Sequence, residues 1–195
     1  MKSLKVWGIV GPVGVGKTTL TKSLCTHYNA KPIYEEWENN PYLEDFYRSE
    51  NLFVNQLWFI KNDFDRFQRA LISDNNIIIV DKLFIQNYTY IQITDFNGKE
   101  KKKCVEEYRK GLFLLENVDL IINLIEEGSV IKNRILSRDR NLDESVLSEK
   151  WLNDFQSIQS DYINELSKEN KFKAISYKNS SFNISDLTTQ IDASI

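Results

Sequence analysis

Eight residues near the start of the chain, Gly11–Thr18 with the sequence GPVGVGKT, match the pattern GxxxxGK[ST]. Backbone N–H groups of such a loop curl around phosphate oxygens, and its glycines allow positive φ angles and close approach. Lys17 can reach the β and γ phosphates, and Thr18 can offer its hydroxyl to Mg²⁺. An apolar run precedes the loop and a helix-like segment follows it, which favours a nucleoside triphosphate site over a glycine-rich surface turn. The residues predicted to hold the nucleotide are Gly11, Val13, Gly14, Val15, Gly16, Lys17, Thr18 and Thr19.

A second group of residues with chemical potential is the carboxylate pair Glu35-Glu36, which follows a short, weak strand pattern. Negative charge beside a triphosphate is costly unless it has a role. Phosphoryl transfer to a hydroxyl usually requires a carboxylate that orients and deprotonates the nucleophile. The pair therefore suits phosphoryl transfer to a hydroxyl, and either residue can supply the base.

Chain length and net charge limit the domain organisation and the kind of partner. The 195 residues, 42% of them apolar, suit one domain spanning 1–195 with a sizeable core. The net charge of −3 and the pI of about 5.4 provide no basic field for nucleic acid or membrane, so we expect a small-molecule partner. No apolar run is long enough to span a bilayer, and two isolated cysteines without a leader sequence suggest a cytoplasmic location.

Alternation of apolar and helix-like segments predicts the elements that position the site. Strands are expected at 4–10, 77–80, 118–125 and 172–177, with a weaker one at 31–35. Helices are expected at 17–28, 41–73 with a break near Ser49, 83–93, 103–116, 129–138 and 147–169, and the polar segment 94–103 is expected to be a surface loop. This alternation predicts an α/β fold, a three-layer doubly wound sandwich with a five-stranded parallel sheet. Ligands of such sheets bind beyond the carboxyl ends of the strands, where Gly11–Thr18, Glu35-Glu36, Asp81-Lys82 and Glu126-Glu127 lie.

The segment after the second strand resembles the deoxynucleoside kinase family, which phosphorylates the 5′-hydroxyl of deoxynucleosides. The matching residues, at the family's spacing, are Glu35, Asn40-Pro41, Tyr42-Leu43 and Phe46-Tyr47. The resemblance implies that Glu35 is the general base and that Tyr47 binds the sugar 3′-hydroxyl. The family often has Pro after the catalytic Glu, where this chain has Glu36, but the register of the motif selects Glu35. The resemblance also implies ATP as phosphate donor, Mg²⁺, a homodimer and an arginine-rich lid at about 137–145.

The same resemblance assigns the nucleobase pocket. Gln56 occupies the position of a Gln that bonds the base from a long helix, and its amide can both donate and accept. Seven residues on, many relatives carry an Arg paired with an Asp after the third strand; here these positions are Asp63 and Asn87. Asp63 either favours bases that present an amino group or is a solvated surface carboxylate. Trp37 adjoins the pocket and can stack on the base.

Charged residues after the third and fourth strands complete the resemblance. Asp81 matches the family's Mg²⁺-associated carboxylate, and Lys82 replaces an Arg, keeping the charge without the planar fork. The arginines of the segment 133–144 resemble the lid that closes over the phosphates and excludes water. The acid expected to bind the sugar is Asp143 or, one position out of register, Glu144. The residues expected to contribute to transfer are Glu35, Lys17, Lys82, Arg134, Arg138 and Arg140.

The favoured hypothesis is therefore transfer of the ATP γ-phosphate to the 5′-hydroxyl of a deoxynucleoside. One alternative is a nucleoside monophosphate kinase such as thymidylate kinase, which shares the fold and the loop. A second is a nucleotide-binding protein that has lost transfer activity and serves in regulation or assembly, a possibility raised by Asp63, Lys82 and Asn87.

Overall fold

The centre of the molecule is one sheet of five parallel strands. The computed structural model describes residues 4–48, 50–137, 148–181 and 183–194. The strands are β1 (Lys5–Val10), β2 (Lys31–Ile33), β3 (Ile77–Asp81), β4 (Leu120–Ile125) and β5 (Lys173–Lys178), in the order β2-β3-β1-β4-β5. β1, β3 and β4 are nearly all apolar because helices cover both faces of the sheet. The prediction of a five-stranded parallel α/β sheet is confirmed.

The described helices fill the connections between strands. They are α1 (Lys17–Tyr28), α2 (Leu43–Tyr47), α3 (Leu52–Leu71), α4 (Gln86–Ile93), α5 (Gly98–Arg109), α6 (Gly128–Leu136), α7 (Glu149–Glu169) and α8 (Ile184–Ser194). Short 3₁₀ turns occur at Trp37–Asn39, Leu112–Asn117 and Asn179–Ser181. None of the described helices is both long and apolar enough to cross a bilayer.

Each face of the sheet has its own apolar core, which gives three layers. Side chains of α3, α4, α5 and α7 pack on the face that carries Val6, Val10 and Ile78. Side chains of α1, α6 and α8 pack on the face that carries Trp7 and Ile9. Alternate residues of β1 thus serve opposite cores, as the period of two in a strand requires.

Three parts of the chain differ from the sequence prediction. The segment 94–103 was expected to be a loop, but α5 begins at Gly98. The reason is a capping box: the Asn97 side chain accepts hydrogen bonds from the amides of Lys99 and Glu100, and Glu100 reaches back to the Asn97 amide. The predicted helix 103–116 also ends early, at Arg109, and a 3₁₀ turn follows it. α8 lies in a segment for which the sequence predicted no element.

The strand register brings the carboxyl ends of β1, β2 and β3 to one edge of the sheet. Ile9 pairs with Asp81, and Ile33 pairs with Val80. β1 lies in the middle, with β3 on one side and β4 on the other, so the chain leaves β1 at the point where the strand order reverses. Segments distant in sequence therefore meet at this edge.

Candidate active site

The turn from β1 into α1 is built on glycine conformations. Gly11, Gly14 and Gly16 have φ angles of +144°, +78° and +108°, which side-chain-bearing residues rarely adopt. A Cβ atom on Gly11 would also clash with the backbone carbonyl oxygen of Leu124. α1 begins directly after Gly16, so the N–H groups of its first turn face the loop. This geometry is the one predicted for a phosphate-binding loop.

Lys17 lies across this loop. Its Nζ donates hydrogen bonds to the carbonyl oxygens of Gly11 at 2.8 Å and Pro12 at 3.0 Å. The loop backbone is fixed from behind by two side chains that the sequence analysis missed. The Gly11 amide donates to Gln86 Oε1 at 3.0 Å, and Asn179 Nδ2 donates to the Val15 carbonyl oxygen at 2.7 Å. Asn179 directly follows β5, so the rule that ligands lie beyond strand ends could have indicated it.

Thr18 and Asp81 meet beside the loop. The Thr18 hydroxyl donates to Asp81 Oδ2 at 2.6 Å, and the Asp81 side chain is buried. Burial raises the pKa of Asp81; Lys17 and the Thr18 hydroxyl oppose the shift, and the nearby Glu35 carboxylate adds to it. Hydroxyl and carboxylate oxygens suit Mg²⁺, which proteins often bind through one or two side chains plus phosphate oxygens. Within the described residues, no cluster of three or more His, Cys, Asp or Glu could hold a metal by itself.

Glu35 and Lys82 form an ion pair at the adjoining strand ends. Glu35 Oε1 lies 2.7 Å from Lys82 Nζ, and the Glu35 side chain keeps 23% of its surface exposed. Lys82 has a φ angle of +57°, and its buried amine lies 4.0 Å from the centroid of the Phe59 ring. Burial alone would lower the Lys82 pKa, but the Asp63 and Glu35 carboxylates more than offset this, so the pKa lies above its ordinary value of 10.5. Lys82 is therefore a permanent cation beside Glu35.

Glu36, the neighbour of Glu35, points elsewhere. Both of its carboxylate oxygens accept from Arg69 Nη2, at 2.9 and 3.0 Å, and both side chains are exposed. Of the carboxylate pair that the sequence left open, only Glu35 contacts Lys82. This contact favours Glu35 as the base, and the choice between the two carboxylates stays a prediction.

Asp63 is fully buried, so the alternative of a solvated carboxylate is wrong. Its oxygens lie 3.0 Å from Arg66 Nη2 and 3.1 Å from Lys82 Nζ, and Asn87 Nδ2 donates to Oδ2 at 2.8 Å. Gln56 Nε2 in turn donates to Asn87 Oδ1 at 3.2 Å. The α3 residues lie on one helical face because their spacing follows the helical repeat. We call the following set the charged network: Glu35, Gln56, Asp63, Arg66, Lys82 and Asn87.

Arg66 is a member of this network that the sequence analysis did not identify. Its Nη1 donates to the carbonyl oxygens of Ile33 at 3.2 Å and Asp81 at 2.9 Å, and its Nη2 donates to that of Lys82 at 2.7 Å. A planar guanidinium thus joins the carboxyl ends of β2 and β3. Its spacing of three residues from Asp63 on a helix was the available signal.

The structure describes the side chains of two of the other predicted site residues, Trp37 and Arg134, but not those of the rest. Trp37 is half-buried two residues after Glu35. Arg134 reaches the back of the loop, where Nη1 donates to the Val15 carbonyl oxygen at 3.4 Å, and its Nη2 lies 3.6 Å from Glu126 Oε2. Tyr47 belongs to α2, but its side chain lies outside the described part of the structure. Arg138, Arg140, Asp143 and Glu144 all lie in 138–147, outside the described residues.

Known proteins provide an independent comparison. A family model for deoxynucleoside kinase matches residues 8–193. A deoxyguanosine kinase from Lactobacillus johnsonii is 27% identical over 145 residues, 69% of this chain and 64% of that relative. A deoxyadenosine/deoxycytidine kinase from Bacillus subtilis is 28% identical over 153 residues, 73% of this chain and 70% of the relative. A solved deoxyadenosine kinase from M. mycoides shares the fold, with a TM-score of 0.78 at 18% identity over 97% of this chain and 100% of that one.

Proposed function

The chain belongs to the deoxynucleoside kinase family, and from this premise we propose that it transfers the γ-phosphate of ATP to the 5′-hydroxyl of a deoxynucleoside. One observation carries the proposal. A partly exposed carboxylate, Glu35, is held 2.7 Å from a buried cation, Lys82, and lies close enough to Asp81 to raise its pKa. A base, a cation and the edge of a triphosphate site are what hydroxyl phosphorylation requires.

The donor binds at the loop. Amides of Gly11–Gly16 and the first turn of α1 hold phosphate oxygens, and Lys17 exchanges its bonds to loop carbonyls for the β and γ phosphates. Thr18 and Asp81 are the residues that would hold Mg²⁺, which when bound neutralises phosphate charge. Arg134 lies behind the loop and adds positive charge there.

The acceptor binds on the side of Glu35. The Glu35 carboxylate takes the proton of the 5′-hydroxyl while the hydroxyl oxygen bonds to the γ-phosphorus, and the bond from that phosphorus to the β–γ bridging oxygen breaks to release ADP. Lys82 keeps positive charge beside the transferring group. Gln56 and Trp37 adjoin the base, and Tyr47 with Asp143 or Glu144 is proposed to bind the sugar. We further propose that a lid carrying Arg138 and Arg140 closes over the phosphates.

Features of the relatives are consistent with such a substrate. The structures of the M. mycoides enzyme carry bound dATP and bound dCTP in separate crystals. By family membership we also propose a homodimer that uses Mg²⁺ and acts in the cytoplasm on small molecules rather than on nucleic acid. The single domain over 1–195, expected from length and composition, also remains a prediction.

A matched pair of variants tests the assignment of the base. Glu35→Gln keeps the shape of the side chain but cannot accept the proton, so the rate of transfer should fall by about 10³-fold while ATP affinity stays nearly unchanged. Glu36→Gln changes the adjacent carboxylate, which only contacts exposed Arg69, and should keep most of the rate. Steady-state rates and the Kd of a non-hydrolysable ATP analogue measure both. A Glu35→Gln variant with most of its rate would show that another group is the base.

A further inference from the structure

The backbone carbonyl of Val15 is the point at which two distant parts of the chain hold the phosphate-binding loop. Its oxygen accepts hydrogen bonds from Asn179 Nδ2 at 2.7 Å and from Arg134 Nη1 at 3.4 Å. Val15 is fully buried, so the carbonyl depends on these protein donors rather than on solvent. The shorter hydrogen bond is the stronger one, and Asn179 is therefore the main support of this carbonyl.

The Val15 carbonyl and the Gly16 N–H belong to one peptide group. Because this group is planar and trans, its C=O and N–H bonds point in opposite directions. Asn179 lies on the carbonyl side, so the Gly16 N–H points away from Asn179. The Gly16 amide donates none of the hydrogen bonds formed within the described residues, which leaves it for a phosphate oxygen.

Glycine allows this orientation of the peptide group without fixing it. Gly16 has a φ angle of +108°, and a residue without a Cβ atom adopts this and other φ values at similar cost. The peptide group between Val15 and Gly16 can therefore turn unless another residue holds it. A Cβ atom on Gly16 would lie 2.7 Å from Asn179 Nδ2, so the same glycine also makes room for the side chain that holds the group.

The backbone that carries Asn179 is itself held in place. Asn179 directly follows β5 and begins the 3₁₀ turn Asn179–Ser181. The hydroxyl of the buried Tyr177 donates to the Asn183 carbonyl oxygen at 3.2 Å and accepts from the Asn183 amide at 2.8 Å. These two hydrogen bonds join the chain before the turn to the chain after it. The Asn179 amide is thus presented to the loop from a fixed position.

We propose that Asn179 is a positioning residue for the phosphate donor: it holds the peptide group between Val15 and Gly16 so that the Gly16 N–H points at a phosphate of the nucleotide. Asn179 acts through the backbone and does not itself touch the nucleotide. This inference rests on the proposed function for the identity of the donor site. Because an amide bound to phosphate does not contact the base, Asn179 should contribute equally to the binding of ATP and of a triphosphate without a nucleoside.

Equilibrium binding tests the proposal without requiring transfer. Calorimetric Kd values of a non-hydrolysable ATP analogue and of inorganic tripolyphosphate are measured for the unaltered protein, Asn179→Leu and Ser180→Ala. Asn179→Leu removes the donor with little change in size, and both Kd values should rise by about tenfold, because the Val15 carbonyl keeps only the longer contact with Arg134. Ser180→Ala changes an exposed neighbour in the same turn and should alter neither Kd by more than about twofold.

The Gly16 amide itself supplies a second measurement. Labelling with ¹⁵N-glycine gives signals from only seven residues, and the Gly16 amide proton should move downfield when the ATP analogue saturates the unaltered protein. At saturation it should move by less than about half as much in Asn179→Leu, an effect that lower stability alone does not produce. Asn179→Asp keeps the shape of the side chain but cannot donate to a carbonyl, and Ser180→Asp carries the same added charge. This second pair decides the matter if Asn179→Leu does not fold.

The alternatives give different results. An unchanged Gly16 signal in Asn179→Leu would overturn the proposal. A loss of affinity confined to the ATP analogue and absent for tripolyphosphate would overturn it too, because Asn179 would then contact the nucleoside part of the donor. If no deoxynucleoside is phosphorylated while Asn179→Leu still weakens both ligands and alters the Gly16 signal, the proposed function fails and the positioning role stands. Phosphorylation together with an unchanged donor Kd in Asn179→Leu would give the reverse conclusion.

Discussion

The phosphate-binding loop, Gly11–Thr18, and the charged network lie at the same edge of the sheet but are built in different ways. The loop is one continuous stretch, and its shape comes from backbone angles that glycine allows. The network draws side chains from the end of β2, from α3, from the end of β3 and from α4, and holds them through charge and burial. A site made of backbone angles tolerates few sequences. In a site made of side chains, a charged residue can move to another position while the net charge of the site stays the same.

Lysine behaves differently in the two regions. Lys17 bonds two uncharged carbonyl oxygens of its own loop, and the buried Asp81 that its charge also stabilises keeps a hydrogen bond from Thr18. Lys82 is buried between Glu35 and Asp63 and cannot be removed without exposing those carboxylates to each other. Substitutions in the loop are therefore expected to lower activity. Substitutions in the charged network are expected to lower both activity and stability.

Removal of the Lys17 charge is the strongest test of this contrast. Lys17→Met should lower the rate of transfer by about 10³-fold or more, because a charge that stabilises the transferring phosphate is lost. The free energy of unfolding should fall less than in Asp63→Leu, since the hydrogen bonds of Lys17 go to uncharged carbonyl oxygens and Asp81 keeps its hydrogen bond from Thr18. Urea denaturation and single-turnover rates measure the two effects. Lys22→Met, on the exposed face of the same helix, is the control, and a large loss of stability in Lys17→Met would remove the distinction.

Asp63→Leu, in contrast, should have a large effect on stability. The variant leaves the buried Arg66 and Lys82 without their shared carboxylate, and the free energy of unfolding should fall by about 3 kcal/mol. Asp65→Leu changes an exposed carboxylate on the same helix and should alter stability by less than about 0.5 kcal/mol. Equal stability of the two variants in urea would show that the network does not stabilise the fold.

Alkaline pH should weaken the network specifically. The Lys82 pKa is higher in the folded protein than its ordinary 10.5, so its contribution is complete below that pH and is lost as pH rises above it. The loss should approach about 1.4 kcal/mol per pH unit for this one group. Burial also raises the pKa of Tyr90 to about 12, which adds a loss of the same sign. Urea denaturation at a series of alkaline pH values should show a shallower decline in Lys82→Met; an identical slope would contradict the assignment.

The smallest effect is expected at the exposed pair of Arg69 and Glu36. Arg69→Ala removes a contact between side chains that are 59% and 38% exposed, so unfolding should change by less than about 1 kcal/mol. The value of kcat/KM should change by less than about twofold, because neither residue faces Glu35 or the loop. A tenfold loss of kcat/KM would place Glu36 in the active site and reopen the identity of the base.

The contrast also explains which features the sequence could predict. The strands and most helices depend on local patterns, and the structure confirms them. The loop has the glycine conformations that its sequence favours, and its role in nucleotide binding stays a prediction. Resemblance gave Gln56, Asp63, Lys82 and Asn87 as site positions, but the burial of Asp63 depends on Arg66, Lys82 and Asn87 approaching it in space. Arg66, Gln86 and Asn179 were missed because each bonds the backbone of a distant segment. The local signals for Arg66 and Asn179, a helical spacing and a strand end, do not identify those partners. Tyr47 and the lid residues remain predictions.

Product identification shows most directly whether the loop and the charged network form the two halves of one kinase site. The purified protein is incubated with Mg-ATP and, separately, each deoxynucleoside and each nucleoside monophosphate, and the products are separated by chromatography. The expected result is a deoxynucleoside 5′-monophosphate and an equal amount of ADP, with both lost in Glu35→Gln and retained in Glu36→Gln. Transfer only to monophosphates, or ATP binding without transfer to any acceptor, would show that the two regions do not form such a site.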